Sequence, residues 1–538
     1  MRYAARPARA AVVEGRLGPG AVRNISPRRR YTGGTEVFES DMGVPGMTRR
    51  SLLRAGAGAL AGAALRPAVT LAAHGSDGRL AAIDLGLLHG TRTIELPPRV
   101  AVAGLQWRGS TGAQTQLRAQ LGSGEWGPWV SAGEHGHGPD APGRPWCTGE
   151  PLWIGGARRV QVRSALLLAG ARLRLVLATA GGLEPDTAGA AALTRAQPVL
   201  AAGAGQPPII ARSVWAVGIP PPRVAPAYGA VELAFVHHTE NPNGYSAGEV
   251  PAMLRAIFLF HREVNGWNDI GYNFVIDRFG RVWEARAGGI DEPVAGAQAG
   301  GYNFVSTGVA VLGSFSGTRI SDAARGTLQR LLAWKLALHG TPSAGRVTVR
   351  VNPAGASYSK YPANARVSLR RVSGHRDADS TECPGDALYG ELPGIRRRVS
   401  RLAGQPVVAR IALVPAPPAA PATPEAAPVA QPPQLLVALA RLGGAPLPGL
   451  PVQLQARTVA RKGLLVTHTP VGEGVTDASG RCVLPASFAV GASGPHWVRA
   501  LYAGAQGGGA AVSPAVEVAA VPAPGPVPPS APAPGPTA

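Results

Sequence analysis

Cysteine is almost absent: 538 residues contain Cys147, Cys383 and Cys482 and no others. So few thiols exclude a disulfide framework, and the domains must rest on ordinary apolar cores. Cys147 and Cys482 fall in different expected domains and read as two small buried thiols. Aromatics make up only 5% of the chain, and only Lys335, Lys360 and Lys462 are lysines. No apolar run is long enough to span a bilayer stably, which argues against a membrane anchor. Acidic residues are scarce as well, 32 against 53 Lys and Arg, for a formal net charge of +21.

That charge raises the question of nucleic acid. Residues 1–73 carry 12 Arg and 4 acids, which leaves +13 for the remainder. The remainder has no stripe of basic and aromatic residues, so nucleic acid is not the expected partner. A diffuse basic surface suits an anionic cell wall at least as well.

What is plentiful is glycine (72) and proline (52), clustered in connectors and tails. Thr48-Arg49-Arg50-Ser51-Leu52-Leu53-Arg54 resembles a twin-arginine export signal. An acid-free apolar stretch follows it, and small residues near Ala72 and Ala73 suit cleavage. The reading is therefore a doubtful disordered extension at 1–46 and a signal peptide at 47–73, hence a secreted or wall-located protein. Short, partly alternating runs with Gly-rich turns make 78–180 an all-β domain. Trp107, Trp126, Trp129 and Trp153 are expected mainly in its core, and His135 and His137 in a loop. Residues 181–207 read as a linker, 208–402 as a mixed α/β domain, and 403–433 as a Pro/Ala linker. Residues 434–520 return to short strands, and the turn-bearing segment Val475–Arg481 weakly resembles immunoglobulin-like β-sandwich modules. Residues 521–538 are read as a disordered tail.

The 208–402 block carries the chemistry. A buried strand, Leu233-Ala234-Phe235-Val236, ends in His237-His238-Thr239. Neighbouring strand residues face opposite ways, so one histidine of the pair can serve a given face. An amphipathic helix is expected from Val250 to Val264, with Leu254, Ile257, Phe258, His261 and Val264 on one stripe and Gly266 ending it. A hairpin follows over 273–284, then a buried strand over 308–313, then a helix capped by Ser321 and running to about His339. Downstream, His375 and Cys383 are eight residues apart. Two histidines and one cysteine suffice to hold Zn²⁺ with one position open, the pattern of a hydrolytic zinc and not a structural one.

The same block resembles a known family. Arg212-Ser213-Val214-Trp215, the His-His-Thr, Gly266-Trp267-Asn268-Asp269-Ile270-Gly271-Tyr272-Asn273-Phe274, Gly300-Gly301-Tyr302-Asn303 and Gly374-His375-Arg376-Asp377…Cys383-Pro384-Gly385-Asp386 are similar to peptidoglycan recognition proteins and zinc N-acetylmuramoyl-L-alanine amidases. The resemblance implies Zn²⁺ held by His237, His375 and Cys383, catalytic roles for Tyr272 and Thr381, and substrate contacts from His238, Thr239, Tyr302 and Asn303. It implies a secreted monomeric enzyme that hydrolyses the bond between N-acetylmuramic acid and L-alanine in peptidoglycan and muropeptides. A tyrosine, with an ordinary pKa of ~10, suits donation to an oxyanion better than general-base work. Inactive members commonly replace the cysteine ligand, which this chain keeps. It departs from the pattern at Gly296-Ala297-Gln298, where many relatives have Gly-Ala-His, and glutamine supplies no imidazole to grip substrate there. Residues 341–371 look long and suit a wall of the substrate groove. The alternatives are a non-catalytic peptidoglycan receptor, or a wall scaffold in which the β domains carry the function.

Overall fold

A computed structural model describes residues 69–70, 80–109, 114–120, 122–133, 138, 146–178, 199–200, 205–414, 432–488, 494–504 and 509–519. The extension, most of the signal segment, His135, His137 and the tail lie outside the described residues. The described residues all fall within one compact unit, Arg66–Ala538. Among them, no helix is long and apolar enough to cross a membrane.

The N-terminal part is all antiparallel β. Two long strands, Leu80–Glu95 and Arg159–Leu177, pair along most of their length, with register shifts between Asp84 and Gly90. Bulges of this kind bend a strand. The bend lets Arg159–Leu177 pair with Thr115–Ala119 at one end and Val100–Arg108 at the other. Ile83, Leu88, Trp107, Leu117, Val162 and Leu173 fill one core. Trp107 and Trp153 are buried, whereas Trp126 and Trp129 are half-buried under Arg118 and Arg163. Cys147 is buried and Cys482 is half-buried, and neither is in a disulfide. Val69–Thr70, inside the segment read as a signal, pairs with Ile83 and Ala82.

The central part is built on a seven-stranded mixed sheet. Strand Leu233–His238 lies in its interior, parallel to Ser306–Val311 on one side and Val372–Gly374 on the other. Ala234 and Val236 face one way, with Phe274, Ile276, Val309 and Val311, onto helices Asp322–Leu338 and Asp386–Ala403. Leu233 and Phe235 face the other way, toward Tyr302, Val349, Val351 and Val367. His237 follows on that second face by simple alternation. The expected helix at Val250 has Pro in its first turn, but its α portion stops at Leu259 and continues as a π turn, Phe260–Val264. Ser321 caps Asp322–Leu338 by accepting from Ala324 N, as the sequence suggests. The 341–371 segment contributes a hairpin, Arg346–Arg350 with Arg366–Arg370.

Two linker expectations need correction. Val199–Leu200, placed in the first linker, pairs with Ile209–Ile210 at the edge of the central sheet. Val407–Leu413, placed in the Pro/Ala linker, is a strand that pairs with Gln434–Arg441. Its Val-Val-Ala-Arg-Ile-Ala-Leu run is a good strand sequence hidden by the proline-rich stretch that follows it. The C-terminal part consists of two antiparallel sheets of three and five strands. Val407, Leu435, Val437, Leu454, Val498 and Ala500 share the core between them.

Candidate metal centre

The parallel pairing of Val236 with Gly374 brings the residue that follows each, His237 in the strand and His375 just past the strand end, side by side. Their ring centroids are 4.6 Å apart. After His375 the chain makes a 3-10 turn, His375–Asp377, and a loop closed by Arg376 N donating to Cys383 O. That loop returns Cys383 to the histidines, with Sγ 3.6 Å from His237 Nδ1. The ligand atoms of His237, His375 and Cys383 all lie within 4.8 Å of one another, and all three residues are buried.

Each histidine has a partner at its outer nitrogen. His237 Nε2 lies 2.5 Å from Gln298 Oε1, and His375 Nε2 lies 2.9 Å from Asp379 Oδ2. Acceptors there favour the Nε2–H tautomer and put the lone pair on Nδ1, the arrangement that metal-binding histidines use. Burial pushes the Cys383 thiol well above its ordinary pKa, and the carboxylates Glu150 and Glu240 add to the push. A dication reverses that logic, because a coordinating thiol is deprotonated outright. Two imidazoles, a thiol and surrounding negative charge form a donor set that fits zinc.

Tyr272 is buried beside this set, its ring 5.5 Å from that of His237. Burial first, then Glu150, Cys383 and Glu240, pushes its hydroxyl well above the ordinary value. It is therefore a donor at neutral pH. Thr381 accepts from Cys383 N at 3.1 Å. It also lines a cavity of about 610 Å³, together with Glu382 and with Thr91, Gln116 and Arg163 of the N-terminal domain.

The residues expected to touch substrate are tied into the protein. His238 faces away from His237; its Nε2 is 2.9 Å from Glu240 Oε1, and its Nδ1 accepts from Phe315 N. Thr239 Oγ1 accepts from Asn241 Nδ2 and Gly313 N. Tyr302 is buried with its hydroxyl 2.9 Å from Ser359 Oγ, in the segment read as a groove wall. Asn303 Oδ1 accepts from Gln298 N, and its Nδ2 donates to Gly138 O of the N-terminal domain.

The N-terminal domain is thus part of the site's surroundings, which sequence reasoning missed. Trp153 N donates to Asn241 Oδ1, and a Cβ on Gly104 would lie 2.3 Å from the Phe260 ring. Glu150 and Asp379 were also missed as site residues. Asp379 was visible as an acid four residues after His375, whereas nothing local marks Glu150.

Residues 227–386 match the family described as N-acetylmuramoyl-L-alanine amidase, and residues 71–189 match Rv3811 N-terminal galactose-binding domain-like. Peptidoglycan-recognition protein SC2 of Drosophila simulans is 29% identical over 162 residues, 30% of this chain and 72% of the relative. The N-acetylmuramoyl-L-alanine amidase of Homo sapiens is 31% identical over 192 residues, 35% of this chain and 28% of that protein. Among solved structures, Drosophila PGRP-LB is 25% identical with a TM-score of 0.27, covering 34% of this chain and 91% of its own.

Proposed function

We propose that this chain, which belongs through residues 227–386 to the N-acetylmuramoyl-L-alanine amidase and peptidoglycan-recognition family, is a zinc-dependent hydrolase of peptidoglycan. Its substrate is the amide joining the lactyl group of N-acetylmuramic acid to the stem L-alanine. The observation that carries the reading is the buried His237, His375 and Cys383 set, with an acceptor on the outer nitrogen of each histidine.

His237 Nδ1, His375 Nδ1 and Cys383 Sγ are the atoms that would hold the ion. When bound, zinc supplies Lewis acidity toward water and the amide carbonyl. Tyr272, kept protonated by burial, donates to the oxygen that becomes negative as the carbonyl carbon turns tetrahedral. The surrounding low-dielectric core strengthens that hydrogen bond. Thr381 holds the Cys383 backbone and lines the adjoining cavity, where part of the substrate can lie.

Export by the twin-arginine route belongs to the same proposal, and lysines at positions 49 and 50 should block it. So does an immunoglobulin-like identity for the C-terminal pair of sheets. The test of function is mass spectrometry of peptidoglycan digested by the full chain, with and without a chelator. New muramyl carboxyl and alanyl amine ends, lost with chelation, are the expected result. Binding without such products would favour the receptor alternative.

A further inference from the structure

Gln298 stands in Gly296-Ala297-Gln298, where the family resemblance implies Gly-Ala-His. It is fully buried, so it is not placed to grip substrate. Its side chain instead fills a slot kept open by two glycines. A Cβ on Gly308 would lie 2.5 Å from Gln298 Cγ, and one on Gly296 would lie 2.9 Å from it. At the end of the slot, Oε1 is 2.5 Å from His237 Nε2 and Nε2 is 2.9 Å from Ser306 Oγ.

The orientation of this amide follows from proton counting. The Tyr302 carbonyl can only accept, so Ser306 Oγ spends its one proton on Tyr302 O at 2.8 Å. Toward Gln298 the serine oxygen can therefore only accept, and it must meet the amide NH₂. The carbonyl oxygen of Gln298 is left facing His237, and that oxygen cannot donate. His237 then carries its proton on Nε2, and its lone pair sits on Nδ1, the atom 3.6 Å from Cys383 Sγ. His375 is set the same way by the Asp379 carboxylate. The two histidines thus reach one tautomer through different acceptors, a neutral amide and a carboxylate.

We propose that Gln298 is a positioning residue for the metal: anchored by Ser306, it accepts the Nε2 proton of His237 and presents Nδ1 to the ion. This rests on the zinc reading above. The departure from the family pattern at this position is then a role in metal affinity and not a lost substrate contact. Outer partners of this kind are worth ~10- to 100-fold in metal affinity.

The experiment is a competition titration of Zn²⁺ against a chromogenic chelator, using the full chain and three variants. Gln298→Leu keeps the bulk and removes the acceptor, and it should weaken zinc by ~10- to 100-fold. Gln298→Glu restores an acceptor and should hold zinc close to the wild-type level. Ser306→Ala frees the amide to turn and should give a smaller loss than Gln298→Leu. Thermal unfolding in excess chelator reports on folding alone, and the Co²⁺ absorption spectrum reports on the ligand field. Wild-type zinc affinity in a folded Gln298→Leu overturns the proposal, as does a Gln298→Glu loss equal to that of Gln298→Leu. If Gln298→Leu does not fold, Ser306→Ala and Gln298→Glu decide by the same criterion. A wild-type chain that binds no zinc overturns the zinc reading itself, an outcome distinct from all of these.

Discussion

Two of the buried polar clusters among the described residues solve burial in opposite ways. At the C-terminal interface, Asp291 and Glu292 of the central domain meet Arg457, His468 and Arg499. Arg499 spans both acids at 2.6 and 2.8 Å, and Arg457 and His468 reach Glu292 at 2.5 and 2.7 Å. Lys335 donates to the Ile290 and Glu292 carbonyls, while burial pushes its amine down to about 7. Burial also pushes both carboxyls up, but Arg499 and His468 more than offset it, and both end below their ordinary values. There the acids meet their opposite charges within the protein. At His237, His375 and Cys383 the ligand atoms converge on one another, with Glu150 and Glu240 on one side of the charge balance and Arg376 on the other. Burial is common to both clusters, so it does not mark function. What differs is the partner: guanidinium groups meet the acids at the clamp, whereas ring nitrogens and a thiol turn toward one another at the ligand site.

Breaking the comparison at its metal end should have the largest effect. Cys383→Ser replaces a thiolate with a neutral hydroxyl and should abolish zinc retention and muropeptide hydrolysis. Folding in excess chelator should change little. His237→Ala should behave likewise, whereas His238→Ala should keep its zinc, because that side chain faces the other way. Metal analysis of the three proteins checks this, and zinc-free His238→Ala would count against the assignment.

The clamp should break next. Glu292→Leu strands Arg457 in a buried site and leaves Arg499 with Asp291 as its remaining acid, at a cost of about 3–5 kcal/mol. Denaturant unfolding and limited proteolysis should show a weakened C-terminal part, with zinc content unchanged. Equal stability would mean that the cluster contributes nothing net. Smaller, and confined to the reaction, is Tyr272→Phe. Loss of one oxyanion donor should reduce turnover by ~10² on a soluble muropeptide, with zinc and fold intact. Near-normal turnover would remove the hydroxyl from the mechanism.

Acid gives the gentlest contrast. Asp291 and Glu292 have depressed folded-state pKa values, so the stability they add is present above the unfolded value of ~4. It is lost as pH falls through the lower folded values. Wild-type denaturation midpoints should drop across that window, and the Glu292→Leu curve should be flatter there. Parallel curves would show that Glu292 does not carry the dependence.

Much of the site could be read from the chain because its chemistry is local in sequence. The strand ending in His237, the eight-residue spacing of His375 and Cys383, and the Ser321 cap each occupy one short segment. The strand alternation that separates His237 from His238 is equally local. What could not be read depends on register between distant segments. Gln298 acquires meaning only when Gly308 and Ser306 lie beside it. Glu150 reaches the site from another domain, with no pattern around it to signal that. The inward ties of Thr239 and Asn303 involve partners as far away as Gly313 and Gly138. The strand Val407–Leu413 was masked by composition, because a proline-rich neighbour outweighed its own alternation.

The bond from Asn303 to Gly138 bears on how this protein can be cut and recombined. Asn303 also holds Gln298 N, so the support behind His237 continues across a domain boundary. The Phe260 ring, meanwhile, lies where any side chain at position 104 would stand. The 208–402 segment is therefore not a cassette. A chimera that transplants residues 208–402 onto a new targeting module would leave one end of that support and an apolar face without their native neighbours. Shuffling should respect a unit that begins in the N-terminal sheet, and directed evolution of a shorter enzyme would first have to rebuild what that sheet provides.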